Sequence, residues 1–385
     1  METHDRFEDG DPFEVHAQDH EFTFYPCGKD RLAALLELIG SAQKTLDIFY
    51  YYFADDDPGE QVRDALAEAA RRGVETHLVV DGFGTAARPS FFQPIIDAGG
   101  TFAVFNARRS VRYLIRNHQK MAIADGERAM MGGFNVAAAY FAPPSENGWN
   151  DLGLMVKGPV VDDLSRWFSG LARWAHEPHA KFLGVRRMVR EWDPGSGPVR
   201  LLVGGPTRIP SSWSRTVRRD LGKANRLDLV MAYFSPPRSF RRLICRIGQR
   251  GKARIVMAAK SDNTATIGAS RALYGPMLRA GVEITEFLPC KLHKKLLVID
   301  DVVYIGSANF DMRSIRLNLE MMLRIEDAAL ADAVRGHIDS IAEASEAITP
   351  ELHLKRAGFF NRIRWRLGLF LVNVLDYTVT RRLNG

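Results

Sequence analysis

His118-Gln119-Lys120 running to Asp125, and His293-Lys294-Lys295 running to Asp300, write the pattern His-x-Lys-x-x-x-x-Asp twice in one chain of 385 residues. Each copy continues to a small-residue turn and an asparagine: Gly132, Gly133 and Asn135 in the first, Gly306, Ser307 and Asn309 in the second. With each residue type near one-twentieth of the composition, a single such triplet arises by chance in about 5% of chains this long. Two copies with matching tails, in equivalent parts of the two halves, mark a duplication. Each half then supplies half of one active site.

The repeat extends outward from the triplets. Thr45-Leu46-Asp47-Ile48 leading into Tyr52-Phe53 matches Arg226-Leu227-Asp228-Leu229 leading into Tyr233-Phe234, and both read as short buried strands. A helical stretch follows each, residues 61–72 and 239–250, closed by Gly73 or Gly251 as a helix C-cap. A further strand comes next, residues 75–80 and 253–258. Alternating strand and helix predicts an α/β layer fold in each half. Asp193-Pro194-Gly195-Ser196-Gly197-Pro198, midway between the triplets, suits neither helix nor strand and reads as the linker. The expected division is an N-terminal lobe over 1–193, a C-terminal lobe over 199–350 and a basic tail over 351–385.

Composition sets wider bounds. A chain of this length suits two domains, and the apolar (46%) and charged (25%) fractions are ordinary for a globular protein. Cys27, Cys245 and Cys290 are scattered without metal-ligand spacing, so neither a disulfide framework nor a zinc site is indicated. Cys290 is expected to pack. A net charge of +6 points to an anionic partner without naming it. Residues 1–12 have neither the basic start nor the apolar core of a signal peptide, and no stretch reaches the ~18 apolar residues that cross a bilayer. An intracellular protein with peripheral membrane attachment is expected.

Histidine, lysine and asparagine together fit attack on a phosphodiester. One imidazole can be the nucleophile while a second protonates the leaving alkoxide. Lysines and amide donors neutralise charge on the non-bridging oxygens as the transition state forms. Two sets of three, one from each half, would surround one phosphate, with no metal or other cofactor expected. Residues i and i+2 of a strand share a face, so each histidine points with its lysine. Asp125 and Asp300, five residues after the lysines, fall on the opposite face and are expected to close the strand ends. A catalytic histidine also needs an acidic partner on its other ring nitrogen. Asp151, 33 residues after His118, and Glu320, 27 after His293, are the candidates.

Three features are set aside. Gly82-Phe83-Gly84 with Ala87 looks like a loose dinucleotide turn, but Arg88-Pro89 interrupts the helix such a site requires. His176 and His179 lack co-ligands at metal spacing and read as surface residues. Tyr50-Tyr51-Tyr52-Phe53 could stack bases, yet sits inside a predicted strand.

The paired motifs, Arg116-Asn117 before His118, Gly132-Gly133-Phe134-Asn135, and the run from Gly306-Ser307-Ala308-Asn309 through Asp311-Met312-Arg313-Ser314 to Asn318-Leu319-Glu320 resemble the phospholipase D superfamily, and within it the bacterial cardiolipin synthases. The resemblance covers the chain from about Phe22 onward. It implies a monomer of two similar α/β-sandwich lobes related by a pseudo-twofold, with the active site at their interface. It further implies His118 as nucleophile, His293 as general acid and base, and Asp151 and Glu320 as the groups that orient them. Lys120, Lys295, Asn135, Asn309 and Ser307 would bind phosphate. One departure is visible: five residues separate Asp300 from Gly306, where six separate Asp125 from Gly132.

From Lys355 onward, Lys355, Arg356, Arg362, Arg364, Arg366, Arg381 and Arg382 mix with aromatic and aliphatic residues. Phe359, Ile363, Leu367, Phe370 and Val374 step by three or four, predicting an amphipathic helix with one apolar face. Such a helix suits anionic lipid at an interface, so the tail is expected to associate with the membrane surface, with docking on the protein's own core as the alternative. The tail favours lipid over nucleic acid as substrate, so no nucleic-acid partner is expected. The function so read is a cardiolipin synthase-like phosphatidyltransferase working through a phosphohistidine intermediate. Its substrate would be phosphatidylglycerol, with phosphatidylethanolamine as an alternative donor, and its place the cytoplasmic side of the bacterial inner membrane. Phospholipase D hydrolysis, or a phosphodiesterase acting on nucleic acid, is the alternative.

Overall fold

The strands that carry the two motif lysines, Lys120–Ala124 and Lys295–Ile299, each lie inside their own eight-stranded sheet. A computed structural model describes residues 7–105, 115–177, 181–261 and 264–372. The first sheet runs in the order Phe13–Ala17, His20–Tyr25, Gly153–Lys157, Arg128–Gly132, Lys120–Ala124, Thr45–Tyr50, Glu75–Asp81, Thr101–Phe105. The second runs Val199–Gly204, Glu320–Glu326, Val302–Gly306, Lys295–Ile299, Arg226–Met231, Lys252–Ala258, Glu283–Phe287, Ser345–Ala347. From His20–Tyr25 and Val199–Gly204 onward the two orders coincide strand for strand through seven positions. The fold is therefore two similar α/β lobes, as the duplicated motifs predict.

The local chemistry explains the elements. Thr45–Tyr50 and Arg226–Met231 are rich in buried apolar residues and sit parallel to the strand after the helix and antiparallel to the motif strand. The helix between them in the first lobe, Asp57–Arg71, starts four residues earlier than the periodicity suggests. Asp56 accepts a hydrogen bond from the Gly59 N–H, and Pro58 occupies the first turn, where its missing N–H costs nothing. Gly73 follows this helix with φ +91°, the left-handed conformation that glycine tolerates. Gly251 caps its helix as expected, its N–H donating to the Ile247 carbonyl, but in another conformation: its φ is −149°, and a Cβ there would lie 1.9 Å from the Asn225 carbonyl oxygen. Close approach, not backbone handedness, requires that glycine.

The motif strands turn back differently. Ala124 pairs with Arg128 across Asp125-Gly126-Glu127, whereas Ile299 pairs with Val302 across Asp300-Asp301 alone. The one-residue shortening of the second copy is absorbed entirely in this hairpin, distant in sequence from the histidine.

Three cores result. One lies between each sheet and its outer helices, holding Leu46, Ile48, Leu66 and Leu78 in the first lobe and Leu227, Leu229, Ile244 and Ile255 in the second. The third is shared. Phe49, Met121 and Ile123 from one sheet meet Val230, Leu296 and Val298 from the other, with the helices Val160–His176 and Ala328–Glu343 between them. Phe182–Glu191, a helix that the sequence reading leaves out, adds Val185 and Val189 to this layer just before the 193–198 stretch.

The C-terminal helix Phe359–Phe370 docks through the side away from its predicted apolar face. Trp365 and Gly368 are buried against the helix Thr264–Leu278, where a Cβ on Gly368 would meet the Ala265 carbonyl oxygen at 2.8 Å. Phe359, Phe360, Ile363, Leu367, Phe370 and Leu371 stay exposed, Phe360 by 84%. The predicted apolar face is thus left bare. Val374, Arg381, Arg382 and His179 lie outside the described residues. No helix among the described residues is long and apolar enough to cross a membrane.

Candidate active site

Two short parallel pairings stitch the lobes together. Asn117 bridges Leu319, with the His118 N–H donating to the Leu319 carbonyl (2.9 Å) and the Leu319 N–H to that of Arg116 (2.9 Å). In the matching place, Lys291-Leu292 pair with Trp149-Asn150, and the His293 N–H donates to the Asn150 carbonyl at 2.8 Å. Each motif histidine is therefore bonded by its backbone to the opposite lobe. The partner is in each case the residue just before a candidate carboxylate.

The side chains complete the exchange. His118 Nδ1 lies 3.2 Å from Glu320 Oε2, and His293 Nδ1 lies 2.6 Å from Asp151 Oδ2. Both carboxylates are fully buried. A carboxylate on Nδ1 holds the proton there and turns Nε2, with its lone pair, toward the reaction. The intervening motif residues repeat the exchange: Gln119 donates to the Glu320 carbonyl (3.2 Å), and Lys294 to Asn150 Oδ1 (2.5 Å). Neither residue stands out in the sequence, because the x positions carry no shared residue type.

Lys120 and Lys295 are buried beside their histidines and each donates to the histidine's own carbonyl at 2.5 Å. Lys295 Nζ also lies against the His293 ring, 3.1 Å from Nε2. Among the described residues, no hydrogen bond engages His118 Nε2. Burial, reinforced by the lysines, pushes the His118 imidazole down to about 4 and that of His293 to about 3. Burial likewise lowers Lys295 to about 8 and Lys120 well below its ordinary value. For Asp151 and Glu320 burial acts upward, but the facing histidine and lysines outweigh it and hold both below the usual carboxylate range. The result is a pocket of neutral imidazoles and strained cations, ready for an anion.

Asn135 and Asn309 are both nearly buried, and the Oδ1 atom of each has no partner among the described residues. Ser307 is placed otherwise than expected. Its hydroxyl donates to Glu320 Oε2 at 2.5 Å and accepts from the Met321 N–H, so it braces the carboxylate behind His118. The pseudo-equivalent position is Gly133, where a Cβ would lie 2.6 Å from Asp151 Oδ1. Asp125 and Asp300 stand at the far strand ends in left-handed conformation (φ +56° and +47°). Asp125 accepts from the Gln43, Lys44 and Thr45 N–H groups, and Asp300 from those of Asn225 and Arg226.

Aromatic rings wall both histidines. Tyr51 meets His118 edge-on at 4.8 Å, and Tyr140 and Trp149 meet His293 at 5.1 Å. Only Tyr51 belongs to the tyrosine cluster; Tyr50 and Phe53 are core. The Gly82-Phe83-Gly84 turn is occupied by protein: Asp81 Oδ1 accepts from the Phe83 and Gly84 N–H groups, and Oδ2 from Asn117 N–H. A carboxylate thus sits where a pyrophosphate would, and anchors the residue before His118. Cys290 is buried in the shared core, its thiol pushed up by burial to about 11.

Two carboxylate-backed histidines, each completed by the other lobe and flanked by a buried lysine, define a site of the phospholipase D superfamily. A family model described as "Cardiolipin synthase, PLD-like domain" matches residues 35–172 and again 217–342, and the chain belongs to that family. Cardiolipin synthase 1 of Bacillus anthracis is 30% identical over 343 residues, covering 83% of this chain and 66% of that protein. The major cardiolipin synthase ClsA of Bacillus subtilis is 28% identical over 358 residues, 89% and 73%. The chain thus spans about two thirds to three quarters of these relatives' length. Phosphatidylserine synthase of Haemophilus influenzae shares the fold at a TM-score of 0.76, covering 98% of this chain and 97% of its own at 14% identity.

Proposed function

We propose that this protein is a phosphatidyltransferase of the cardiolipin synthase type, acting on phospholipid phosphodiesters through a covalent phosphohistidine. The observation that carries the reading is the exchanged pair of histidine–carboxylate contacts, which brings two imidazoles and two lysines to one interface. His118 Nε2 attacks phosphorus, and the bond to the leaving alcohol breaks as His293 gives that alkoxide a proton. His293, now neutral, takes the proton of an incoming hydroxyl, whose oxygen displaces His118 and receives the phosphatidyl group. His293 must therefore be protonated when substrate is bound. The phosphate's negative charge supplies this, raising an imidazole that burial and Lys295 otherwise keep neutral. The freedom of His118 Nε2 from other contacts favours it as the nucleophile. Lys120 and Lys295, with Asn135 and Asn309, neutralise the non-bridging oxygens.

The exposed Phe359, Phe360, Ile363, Leu367 face, with Arg362, Arg364 and Arg366 exposed around it, supports peripheral attachment to anionic lipid. In that reading the protein works at the cytoplasmic face of the bacterial inner membrane. Incubation with labelled phosphatidylglycerol, followed by lipid chromatography, is expected to give cardiolipin and glycerol. Phosphatidic acid alone would make the protein a hydrolase, and cleavage of DNA without any lipid product would overturn the reading.

A further inference from the structure

The helices that cover the outer faces of the two lobes occupy equivalent places but differ in charge. Gly28–Ser41 and Asp57–Arg71 carry four cations and six carboxylates. Their counterparts Ser212–Lys223 and Arg238–Arg250 carry nine cations and one carboxylate, Asp220. That one is committed to Tyr304, Arg324 and its neighbour Arg219. A duplicated frame gives no reason for such a difference, so it belongs to something the second lobe alone meets.

Beside the first of these basic helices is a cavity of about 950 Å³. Arg208, Arg215 and Arg218 line it, all three exposed, and among the described residues none of them has a carboxylate partner. Arg215 and Arg218 stand one turn apart on the same helix face. No aspartate or glutamate lines the cavity among the described residues. The rest of the lining includes Phe240, Leu243 and Ile315. Guanidinium groups with apolar surface between them suit a phosphate attached to hydrocarbon better than a free phosphate, which has no use for the latter. The inner wall also matters. Gly205 follows Gly204, which pairs with Glu320 in the sheet, and Leu317 precedes Glu320 by three residues. The cavity is built on the segments that hold the carboxylate of His118.

We propose that this cavity binds the phosphate and upper chains of a second anionic phospholipid, the acceptor in transfer. The proposal rests on the phosphatidyltransferase reading for the word acceptor, and on the cavity alone for the lipid site.

The test uses the full chain with Arg208, Arg215 and Arg218, none of them a partner in the histidine–carboxylate pairs, changed together to alanine. Monomeric dihexanoyl phosphatidylglycerol is titrated calorimetrically into His118→Ala protein, which cannot turn it over, with and without the triple change. Two lipids per chain are expected to fall to one. With a saturating fluorescent donor lipid, the KM for phosphatidylglycerol as acceptor is expected to rise about tenfold or more while kcat stays within about twofold. An unchanged stoichiometry and KM would overturn the proposal. So would glycerol phosphate or dihexanoyl phosphatidylcholine filling the second site as tightly, or a single-stranded oligonucleotide displacing the lipid from it. If no lipid product forms at all, yet the second lipid is lost with the arginines, the transferase reading falls and the lipid site stands.

Discussion

His293 meets a short carboxylate, Asp151, at 2.6 Å, with the bare backbone of Gly133 against its other oxygen; His118 meets the longer Glu320 at 3.2 Å, and shares that oxygen with the Ser307 hydroxyl. An acceptor divided between two donors holds each less strongly, so the half-sites are equivalent in topology but not in electrostatics. The Asp151 contact is the tighter of the two, although Lys295 Nζ also lies 2.9 Å from the same Nδ1, and in the proposed mechanism it suits the histidine that carries the proton. Lys295 against the ring opposes that charge until an anion arrives. On the other side, Glu320 and Ser307 hold His118 in place and leave its Nε2 clear. The difference teaches that a near-symmetric sequence can give the two half-sites different surroundings through one residue pair, Gly133 against Ser307.

The largest expected effect breaks the comparison outright. His118→Ala and His293→Ala should each lower turnover by about 10⁴-fold or more. With a substrate whose leaving group needs no proton, only His293→Ala is expected to accumulate a labelled phosphatidyl-enzyme. Label retained in His118→Ala and absent from His293→Ala would exchange the two roles.

Next come the carboxylates. Asp151→Asn and Glu320→Gln should each cost about 10²- to 10⁴-fold in kcat, since an amide can hold the wrong tautomer in place. Ser307→Gly, which removes only the brace, is expected to cost about tenfold. Gly133→Ser should instead lower thermal stability, by about 1–3 kcal/mol, because its Cβ has no room beside Asp151. Equal effects of the two turn substitutions on kcat and on melting temperature would show that the asymmetry is idle.

The smallest effect concerns pH. Both imidazoles are depressed in the folded protein, to about 4 and about 3, so between those values and about 6.5 the unfolded chain binds the extra protons. Stability from this source is present above pH 6.5 and is lost as pH falls toward 4. Urea unfolding should show a loss of about 2 kcal/mol per histidine between pH 7 and pH 5. His118→Gln and His293→Gln should each remove one share of that loss, and a pH dependence unaffected by either substitution would refute the depressed values.

Much of the site was legible because its chemistry is local in sequence. His and Lys two apart on one strand, then a turn and an asparagine, form a spacing that survives folding unchanged. Asp125 and Asp300 were readable for the same reason, since a strand end caps what lies next to it. The bond from the Ser307 hydroxyl to Glu320, 13 residues on, was not legible, because it depends on where the neighbouring strand sets that carboxylate. Gln119 and Lys294 carry no signal, since their partners sit in the other lobe. The apolar face of the tail helix was legible from its periodicity, but its docking was not: Trp365 and Gly368 seat through a large–small fit that periodicity does not weigh, leaving the more hydrophobic face outside.

By itself, then, the sequence determined the duplication, the α/β character of each half, the identity of the histidines and lysines, and the two candidate carboxylates. Those follow from short-range spacing and from burial patterns of period two and 3.6. Only the tertiary structure decided that Asp151 serves His293 and Glu320 serves His118. Both carboxylates follow the histidine of their own lobe along the chain, and no local rule sends them across. What sends them across is the shared core, which presses the two sheets together until the backbone edges at Asn150 and Leu319 must pair with the strand ends at His293 and His118.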